Sequence, residues 1–339
     1  MIIRSKAPLR LGFAGGGSDV SPYSDLYGGI VLNATINLYA YCTIEETDDG
    51  QVSIDCYDDN FRAVCPLARE LPLDGRASLL KGVYNRLVRD GAIPLRACRI
   101  TTYNDAPAGS GLGTSSTMVV AILKAFAEWH NLPLGDYEIA RLAYEIERVD
   151  LGMSGGKQDQ YAATFGGFNF MEFNKENVIV NPLRIRNRYE DELAHNLVLY
   201  YTDTSHVSAE IIEEQQKNVR AKNSQSIEAM HKLKEQAVQM KEALLRGNID
   251  RIGEILDFGW RYKKQMASSI TNPRIDGIYN AAKEAGASGG KISGAGGGGF
   301  MFFYCPGVTR YAVVEALQRF GGKAKRYEFV NEGLKTWTM

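Results

Sequence analysis

Residues 107–116 read Pro-Ala-Gly-Ser-Gly-Leu-Gly-Thr-Ser-Ser, and an apolar run begins directly after them at Met118. Glycines adopt positive φ angles and leave room for close backbone approach, so successive N–H groups can turn toward one anion. The apolar run predicts a helix over residues 116–130, whose unpaired N–H groups and dipole would point at the same place. This segment therefore predicts a phosphate-binding loop; a Gly/Ser-rich surface turn is the alternative for the segment alone.

Two familiar nucleotide-binding patterns do not describe this chain. No G-x-x-x-x-G-K-[ST] stretch is present, so the loop is not a Walker A loop. Gly294, Gly296 and Gly299 do match G-x-G-x-x-G, but that fingerprint needs a strand before the glycines and a helix after them. Residues 300–304 instead predict a strand. We therefore predict no dinucleotide-binding domain.

Charge and cysteine usage exclude several classes of protein. The 39 Lys and Arg residues balance 40 Asp and Glu residues, a net charge of −1 that favours neither nucleic acid nor a membrane surface as partner. Five cysteines without a C-x-x-C pair fit reduced thiols better than disulfides or zinc. Because the first residues also lack a signal-peptide core, we expect a cytoplasmic protein. No metal or triad pattern includes the four histidines, His130, His195, His206 and His231.

Apolar periodicity divides the chain into two halves, each with strands and helices. Alternating or β-branched runs predict strands at residues 29–36, 38–44, 51–57, 99–103, 165–173 and 197–202. Helical spacing predicts helices at 78–90, 136–149, 249–267, 272–285 and 309–319 and a helix-rich stretch at about 208–246. Residues 174–192 are polar and charged and contain a proline. We place a domain boundary there, with domains at 1–185 and 186–339.

Two further glycine-rich segments accompany the first. Residues 6–19 read Lys-Ala-Pro-Leu-Arg-Leu-Gly-Phe-Ala-Gly-Gly-Gly-Ser-Asp, a β-like run through Arg10 followed by a glycine turn. Residues 291–299 read Lys-Ile-Ser-Gly-Ala-Gly-Gly-Gly-Gly. In isolation, a capped turn and a tight crossing between strands would explain them. However, six glycines within residues 290–299 cost backbone entropy on folding, so a mere connection explains them poorly.

Together and in this order, the three segments resemble the motifs of the GHMP kinases, which include galactokinase, homoserine kinase and mevalonate kinase. The family pattern is an A-P-G-[RK] strand, a P-x-G-x-G-L-G-S-S loop and a K-x-[ST]-G-A-G-G-G-G turn. Leu9 and Thr114 are the departures from it. The resemblance spans most of the chain and implies a two-domain α+β fold. Its N-terminal domain would be ribosomal protein S5 domain 2-like, its C-terminal domain ferredoxin-like, and the active site would lie between them.

The resemblance also implies an ATP- and Mg²⁺-dependent phosphotransferase. Asp159 would be the catalytic base and Arg10 the cation beside it. Ser115 and Glu147 would bind Mg²⁺, which prefers such hard oxygen ligands. The residues expected to hold the ATP phosphates are Pro107, Gly109, Ser110, Gly111, Leu112, Gly113, Thr114, Ser115 and Ser116. A non-catalytic sugar sensor and a decarboxylase are rival classes; the intact base and ligands disfavour the first, and CO₂ release would identify the second.

For the acceptor, the resemblance is strongest to the heptose branch of the family. Residues 14–18 replace the G-E-H-T stretch of galactokinases, which makes galactose a poor candidate and leaves Asp19 at the sugar-binding position. The expected reaction is transfer to the anomeric C1 hydroxyl of D-glycero-D-manno-heptose 7-phosphate; a fucokinase-like or other sugar 1-kinase is the alternative. Partners would be the sugar phosphate and ATP, and a homodimer is compatible with the sequence. Expected acceptor-site residues are Gly15, Gly16, Gly17, Asp19, Lys157, Gly294, Gly296 and Gly297.

Overall fold

The computed structural model describes residues 1–204 and 208–339, which form twelve strands and eleven α-helices. The strands are β1 (Ile2–Ala14), β2 (Gly29–Glu46), β3 (Gln51–Cys56), β4 (Phe61–Pro66), β5 (Cys98–Asn104), β6 (Phe168–Phe173), β7 (Val178–Pro182), β8 (Leu197–Tyr201), β9 (Gly289–Ile292), β10 (Phe300–Tyr304), β11 (Lys323–Lys325) and β12 (Lys335–Thr338). The helices are α1 (Tyr23–Tyr27), α2 (Ser78–Arg89), α3 (Thr114–Trp129), α4 (Asp136–Tyr144), α5 (Gln158–Phe165), α6 (Asn187–Asn196), α7 (Ser208–Arg220), α8 (Ser224–Arg246), α9 (Ile252–Lys263), α10 (Pro273–Glu284) and α11 (Arg310–Gln318). None of these helices is long and apolar enough to cross a membrane.

The first sheet is organised around the long strand β2. Its strand order is β12-β1-β2-β5-β3-β4, and β6 and β7 extend from β2 as a second branch. Strand β2 pairs with β6 over its first part and with β5 over its last, because one continuous strand is long enough to serve both neighbours. The two strands predicted at 29–36 and 38–44 are thus one. Register shifts at Pro8/Leu9 and Gly12/Ala14 bend β1 on either side of Arg10.

The second sheet has the order β11-β8-β10-β9, and all its pairings are antiparallel. Along the chain, helices separate β8 from β9, a glycine-rich turn joins β9 to β10, and α11 leads to β11. This is the βαββαβ arrangement of a ferredoxin-like domain, so the α+β expectation is confirmed. Every residue of β10 is buried, as its unbroken apolar sequence predicts for a central strand.

A shared hydrophobic core joins the two halves. Helix α3 packs on β1 and β2 and is buried along nearly its whole length. Helix α9 contacts β1 of the first sheet and β9 and β10 of the second, and α8 packs on α9 and on β1 and β2. One apolar cluster contains Leu11 and Phe13 of the first sheet, Met240 of α8 and Phe302 of the second sheet. Each such side chain contributes about 1.5–3 kcal/mol when fully buried, so this cluster fixes the two halves against each other.

The end of the chain returns to the first sheet. Strand β12 pairs antiparallel with β1, and Phe329 forms an isolated bridge with Ile36. The Val330 N–H donates to the Thr35 carbonyl at 3.0 Å. The first sheet therefore contains strands from both ends of the sequence, which apolar periodicity does not reveal. The boundary near residue 185 stays a prediction.

Two predicted elements differ from the structure. The helix predicted over 136–149 is α-helical only to Tyr144 and π-helical over Glu145–Asp150. The strand predicted from residue 165 begins at Phe168, because Phe165 ends α5 and two glycines with positive φ follow. The helix-rich stretch 208–246 consists of α7 and α8, which separate at Lys222, whose φ is +54°, and Asn223 caps α8. The charged stretch 174–192 contains β7 and part of α6, and His206 lies outside the described residues.

Candidate active site

All three glycine-rich segments meet at one cavity of about 450 Å³. This volume is in the usual range for small-molecule sites. Glycines 12, 16 and 17 come from the first segment, glycines 109, 111 and 113 from the second, and Gly294 from the third. The rest of the wall comes from the π-helical segment, the loop 152–156 after it, the N-terminal turn of α5, the first turns of α7 and the end of α9. Segments separated by nearly 300 residues therefore contribute to one binding site.

The second and third glycine segments interlock. Gly111 has φ +80°, and a Cβ atom there would lie 2.3 Å from the Ser293 carbonyl oxygen. The Ser293 hydroxyl donates to the Gly111 carbonyl at 2.9 Å, and the Phe300 N–H donates to the Ser110 carbonyl at 2.8 Å. Only glycine combines this φ with this close approach. The third segment therefore holds the loop that precedes α3 in place.

Helix α3 begins at the cavity without a side-chain cap. Gly113 is its N-cap, and residues 114–116 of its first turn line the cavity. The first N–H groups of a helix have no partner within the helix, and the dipole makes this end partly positive. An anion in the cavity would satisfy them, which is the recurring geometry of phosphate sites.

Arg10 and Asp159 form a buried ion pair at the centre of the cavity. The Arg10 Nε donates to Asp159 Oδ1 at 2.7 Å, and its Nη1 donates to the Gly111 carbonyl at 2.5 Å. Only 5% of the Arg10 side chain is exposed, whereas 20% of the Asp159 side chain is. Asp159 lies on the first turn of α5, and its Cγ would be 3.1 Å from a Cβ atom at Gly113. Its carboxylate is thus accessible from the cavity, beside the glycine loop.

Glu147 is fully buried in the π-helical segment, yet it lines the cavity. One carboxylate oxygen, Oε2, accepts a hydrogen bond from Gln160 Nε2 at 2.7 Å. The other, Oε1, accepts no hydrogen bond from a described residue and lies 3.1 Å from Arg148 Nη1. Burial raises the pKa of Glu147, and the Arg148 guanidinium opposes that rise. π-Helical turns are frequent at functional sites, and here the turn carries a carboxylate whose Oε1 is contacted only by Arg148 among the described residues.

Asp19 links the first glycine segment to α5. Its Oδ2 accepts the Gln158 N–H at 3.1 Å, and its Oδ1 accepts Gln158 Nε2 and the Gly17 N–H, each at 3.1 Å. A Cβ atom at Gly156 would lie 1.9 Å from Asp19 Oδ2, so the chain approaches the carboxylate closely. Burial, and next the negative charge of Asp159, raise the pKa of Asp19. This carboxylate therefore fixes the turn that carries the catalytic candidate.

Two buried lysines face the same part of the cavity. The Lys291 Nζ donates to the Gly12 carbonyl at 2.5 Å, and burial lowers the lysine's pKa well below its usual value. Lys263, at the end of α9, is only 2% exposed. Burial lowers its pKa to about 8, while the nearby Asp19 carboxylate opposes this effect. The part of the cavity beside Asp19 thus carries two buried lysines, which suits an anionic ligand.

Comparison with known proteins agrees with this geometry. The chain matches the model of the GHMP kinases N-terminal domain over residues 78–167 and that of the GHMP kinases C-terminal domain over 240–323. It is 48% identical over 336 residues to D-glycero-alpha-D-manno-heptose 7-phosphate kinase of Campylobacter jejuni, covering 99% of this chain and 98% of the relative. The chain belongs to the GHMP kinase family. It is therefore a phosphotransferase with an alcohol group as acceptor.

Two further comparisons extend the likeness. A crystal structure of a D-glycero-D-manno-heptose 1-phosphate kinase from Bacteroides thetaiotaomicron superposes with a TM-score of 0.85 at 51% identity, covering 99% of both chains. A bifunctional fucokinase/GDP-fucose pyrophosphorylase of Arabidopsis thaliana is 28% identical over 86% of this chain, which corresponds to 29% of that longer protein. This GHMP kinase thus resembles sugar kinases over its whole length.

Most residues predicted for the site are brought together in this GHMP kinase. Those that line the cavity are Arg10, Gly16, Gly17, Asp19, Gly109, Gly111, Gly113, Thr114, Ser115, Ser116, Glu147, Asp159 and Gly294. The Ser116 hydroxyl is already engaged, since Arg148 Nη2 donates to it at 3.0 Å and Gln160 Nε2 at 3.1 Å. No described residue bonds the Ser115 hydroxyl. Of the two serines, Ser115 is therefore the one with a hydroxyl available to a ligand.

Other predicted residues are not part of the cavity wall. Lys157 turns away from the cavity, with its ammonium 3.1 Å from Asp25 Oδ1 and 3.0 Å from the Asn174 carbonyl. Gly296 and Gly297 pack against Ile270, so they shape the third segment rather than contact a ligand. Gly15, Ser110 and Leu112 are buried behind the cavity wall, and Pro107 is an exposed residue whose carbonyl accepts the Ser110 N–H at 3.2 Å. The expectation that Lys157 binds the acceptor is therefore not carried further.

Sequence reasoning missed several charged and polar residues of the wall: Arg148, Gln158, Lys263 and Lys291. Lys291 was visible in the third motif without an assigned role. Lys263 had a weaker signal, since Leu256, Trp260 and Lys263 follow helical spacing and place a lysine on an apolar face. Lysines are almost never fully buried without a partner, so a lysine at such a position indicates a site.

Proposed function

We propose that this GHMP kinase transfers the γ-phosphoryl group of ATP to the anomeric C1 hydroxyl of D-glycero-D-manno-heptose 7-phosphate. The observation that carries this proposal is the Arg10–Asp159 pair, which holds a carboxylate beside the glycine loop in a cavity rich in cations. The names of both heptose kinases described above support a heptose phosphate as acceptor. They differ in the phosphate position that they state, so the position of transfer is part of the proposal.

The residues at the cavity wall fit a Mg²⁺ ion, which would accompany the ATP phosphates. Within the described residues, no three His, Cys, Asp or Glu side chains form a ready-made metal site. Mg²⁺ in kinases, however, is usually held by one or two protein oxygens plus substrate phosphates. Glu147 Oε1 and the Ser115 hydroxyl supply such oxygens at the cavity wall. When bound there, Mg²⁺ would neutralise charge on the phosphates.

The remaining chemistry is proton transfer and positioning. As the C1 oxygen bonds to the γ-phosphorus and the bond to ADP breaks, Asp159 accepts the hydroxyl proton. Arg10 orients that carboxylate through Nε and, through Nη1, holds the loop that contacts the phosphates. One guanidinium therefore couples the position of the base to that of the phosphoryl donor, which is what an in-line transfer requires.

The direct test is ADP release with Mg²⁺·ATP over a panel of acceptors. The panel contains heptose 7-phosphate, the unphosphorylated heptose, fucose, galactose and mevalonate. We expect turnover of heptose 7-phosphate to exceed that of every free sugar at least about tenfold, because a dianionic group adds charge-assisted contacts. Phosphorylation of C1 removes the reducing end, so a reducing-sugar assay should fall in step with ADP release. Preferred use of fucose would overturn the assignment of heptose as acceptor. A retained reducing end would overturn the assignment of C1 as the position of transfer.

Replacement of Ser115 by alanine tests the metal assignment. We expect Ser115→Ala to raise the Mg²⁺ concentration for half-maximal activity about 10-fold, because one of its few protein ligands is lost. The KM for the sugar should stay within about twofold of wild type. Ser110→Ala is the control in the same loop, since Ser110 is buried and does not line the cavity. An unchanged Mg²⁺ titration in Ser115→Ala would remove Ser115 from the ligand set.

A further inference from the structure

Lys263 is the one buried cation of the cavity wall without a partner among the described residues. Arg10 is paired with Asp159, Arg148 with Glu147, and the Lys291 ammonium with the Gly12 carbonyl. The Lys263 ammonium takes part in no hydrogen bond or ion pair with any residue that the structure describes. Its ammonium is therefore available to a ligand.

Neither of the nearby carboxylates, Asp19 and Asp159, is the partner of the Lys263 ammonium. Asp19 is close enough to oppose the fall in the pKa of Lys263, but its oxygens already accept three hydrogen bonds from Gln158 and Gly17. Asp159 is held by Arg10. A buried charge without a partner destabilises the folded protein. A bound ligand of opposite charge would offset this cost. The wall of the cavity at Lys263 is thus suited to an anion.

The position of α9 indicates which anion this is. Met266, three residues beyond Lys263, packs so closely on Gly17 that a Cβ atom there would lie 2.4 Å from its Cε. Lys263 therefore lies at the first glycine segment, beside Asp19. The ATP phosphates are expected at the loop before α3. Lys263 is close enough to Asp19, the residue expected at the sugar-binding position, for the two charges to interact, which favours the acceptor over the nucleotide as the source of the anion.

We propose that Lys263 binds the phosphate ester that the acceptor sugar already carries and so selects a sugar phosphate over a free sugar. This inference rests on the proposed function, because it assumes a phosphorylated acceptor. Lys263 replaces Lys157, which the sequence had suggested for that role and which is paired with Asp25. A charge-assisted hydrogen bond inside a cavity would give the selectivity.

The test compares Lys263→Met with the matched variant Lys264→Met. Lys264 is the next residue, partly exposed, and its ammonium lies 3.5 Å from Asp276. In Lys263→Met we expect the KM for heptose 7-phosphate to rise about 10–100-fold, the range expected for a lost hydrogen bond to a charged group. The kcat/KM for the unphosphorylated heptose and the KM for ATP should stay within about twofold. Lys264→Met should match wild type throughout, and Lys263→Arg should recover part of the preference for the phosphorylated sugar.

The thermal unfolding temperature distinguishes a ligand-binding lysine from a merely structural one. Replacement of a structural lysine would lower that temperature. Without ligand, Lys263→Met should unfold at the same temperature as wild type or higher, because an unpaired buried charge is removed. Heptose 7-phosphate should stabilise wild type and Lys264→Met but not Lys263→Met. Three results for Lys263→Met would each overturn the inference. They are equal losses of kcat/KM with both acceptors, a rise in the KM for ATP, and a strongly lowered unfolding temperature. If wild type itself shows no preference for the phosphorylated heptose, the proposed function fails and this inference fails with it.

Discussion

Asp159→Asn is expected to lower kcat about 10²–10⁴-fold while the protein stays folded. The substitution keeps the size of the side chain and an oxygen that can still accept the Arg10 Nε–H. It removes the basicity that takes the proton from the attacking hydroxyl, and a positioned general base contributes a factor of this size. ADP release at saturating substrates measures kcat, and thermal unfolding verifies that the fold is retained. The KM values should change much less than kcat, because the proton moves only in the transition state.

Asp25→Asn is the matched control for this prediction. Asp25 also accepts a hydrogen bond from a cation, Lys157, at 3.1 Å, but it does not line the cavity. Loss of that ion pair should leave kcat within about twofold of wild type, since partly exposed pairs contribute little to stability. If Asp159→Asn turns over at a near-normal rate, Asp159 is not the base. If both variants lose activity equally, the loss reflects a broken ion pair rather than a lost base.

Gly111→Ala is expected to cause the largest loss of stability among single-methyl substitutions in the nucleotide loop. An alanine at φ +80° costs about 1–2 kcal/mol by itself. Its Cβ would also lie 2.3 Å from the Ser293 carbonyl oxygen, so the second and third glycine segments must separate. The free energy of unfolding should fall by about 3 kcal/mol or more, as for other overpacked buried sites. The KM for ATP should rise about 10-fold or more, because the Arg10 and Ser293 contacts to the Gly111 carbonyl shift with the loop.

Gly91→Ala measures the cost of backbone strain without the steric clash that is expected in Gly111→Ala. Gly91 has φ +69° and follows α2, and no atom lies within 4 Å of a Cβ placed there. This variant should lose only the strain of about 1–2 kcal/mol and bind ATP normally. Denaturant unfolding of both variants gives the difference directly. Equal losses in the two variants would show that the contact with Ser293 is not tight, and the interlock of the two segments would then be wrong.

The sequence alone predicts a phosphate-binding loop at residues 107–116, because the cause of such a loop is local. Alternating glycines and the helix that follows them determine where N–H groups can gather, whatever the rest of the chain does. The family could also be predicted, since three ordered motifs carry it, and the comparisons confirm it. Asp159 was recognised through its motif, and the structure brings it to the cavity beside Arg10.

Tertiary structure decided which side chains face the ligand. Lys157 directly precedes α5 within a sequence motif, whereas only a weak apolar-face pattern marks Lys263 at the end of α9. The first is paired outside the cavity with Asp25, and the second is buried in the wall beside Asp19. The π-helical turn that aims Glu147 inward and the return of β12 to β1 likewise depend on contacts between distant segments. The sequence by itself determined the family and the chemistry of the phosphate loop, because short-range backbone preferences encode them. Burial and charge pairing across the fold decided the acceptor side of the site, because the partners of a charge are chosen by packing.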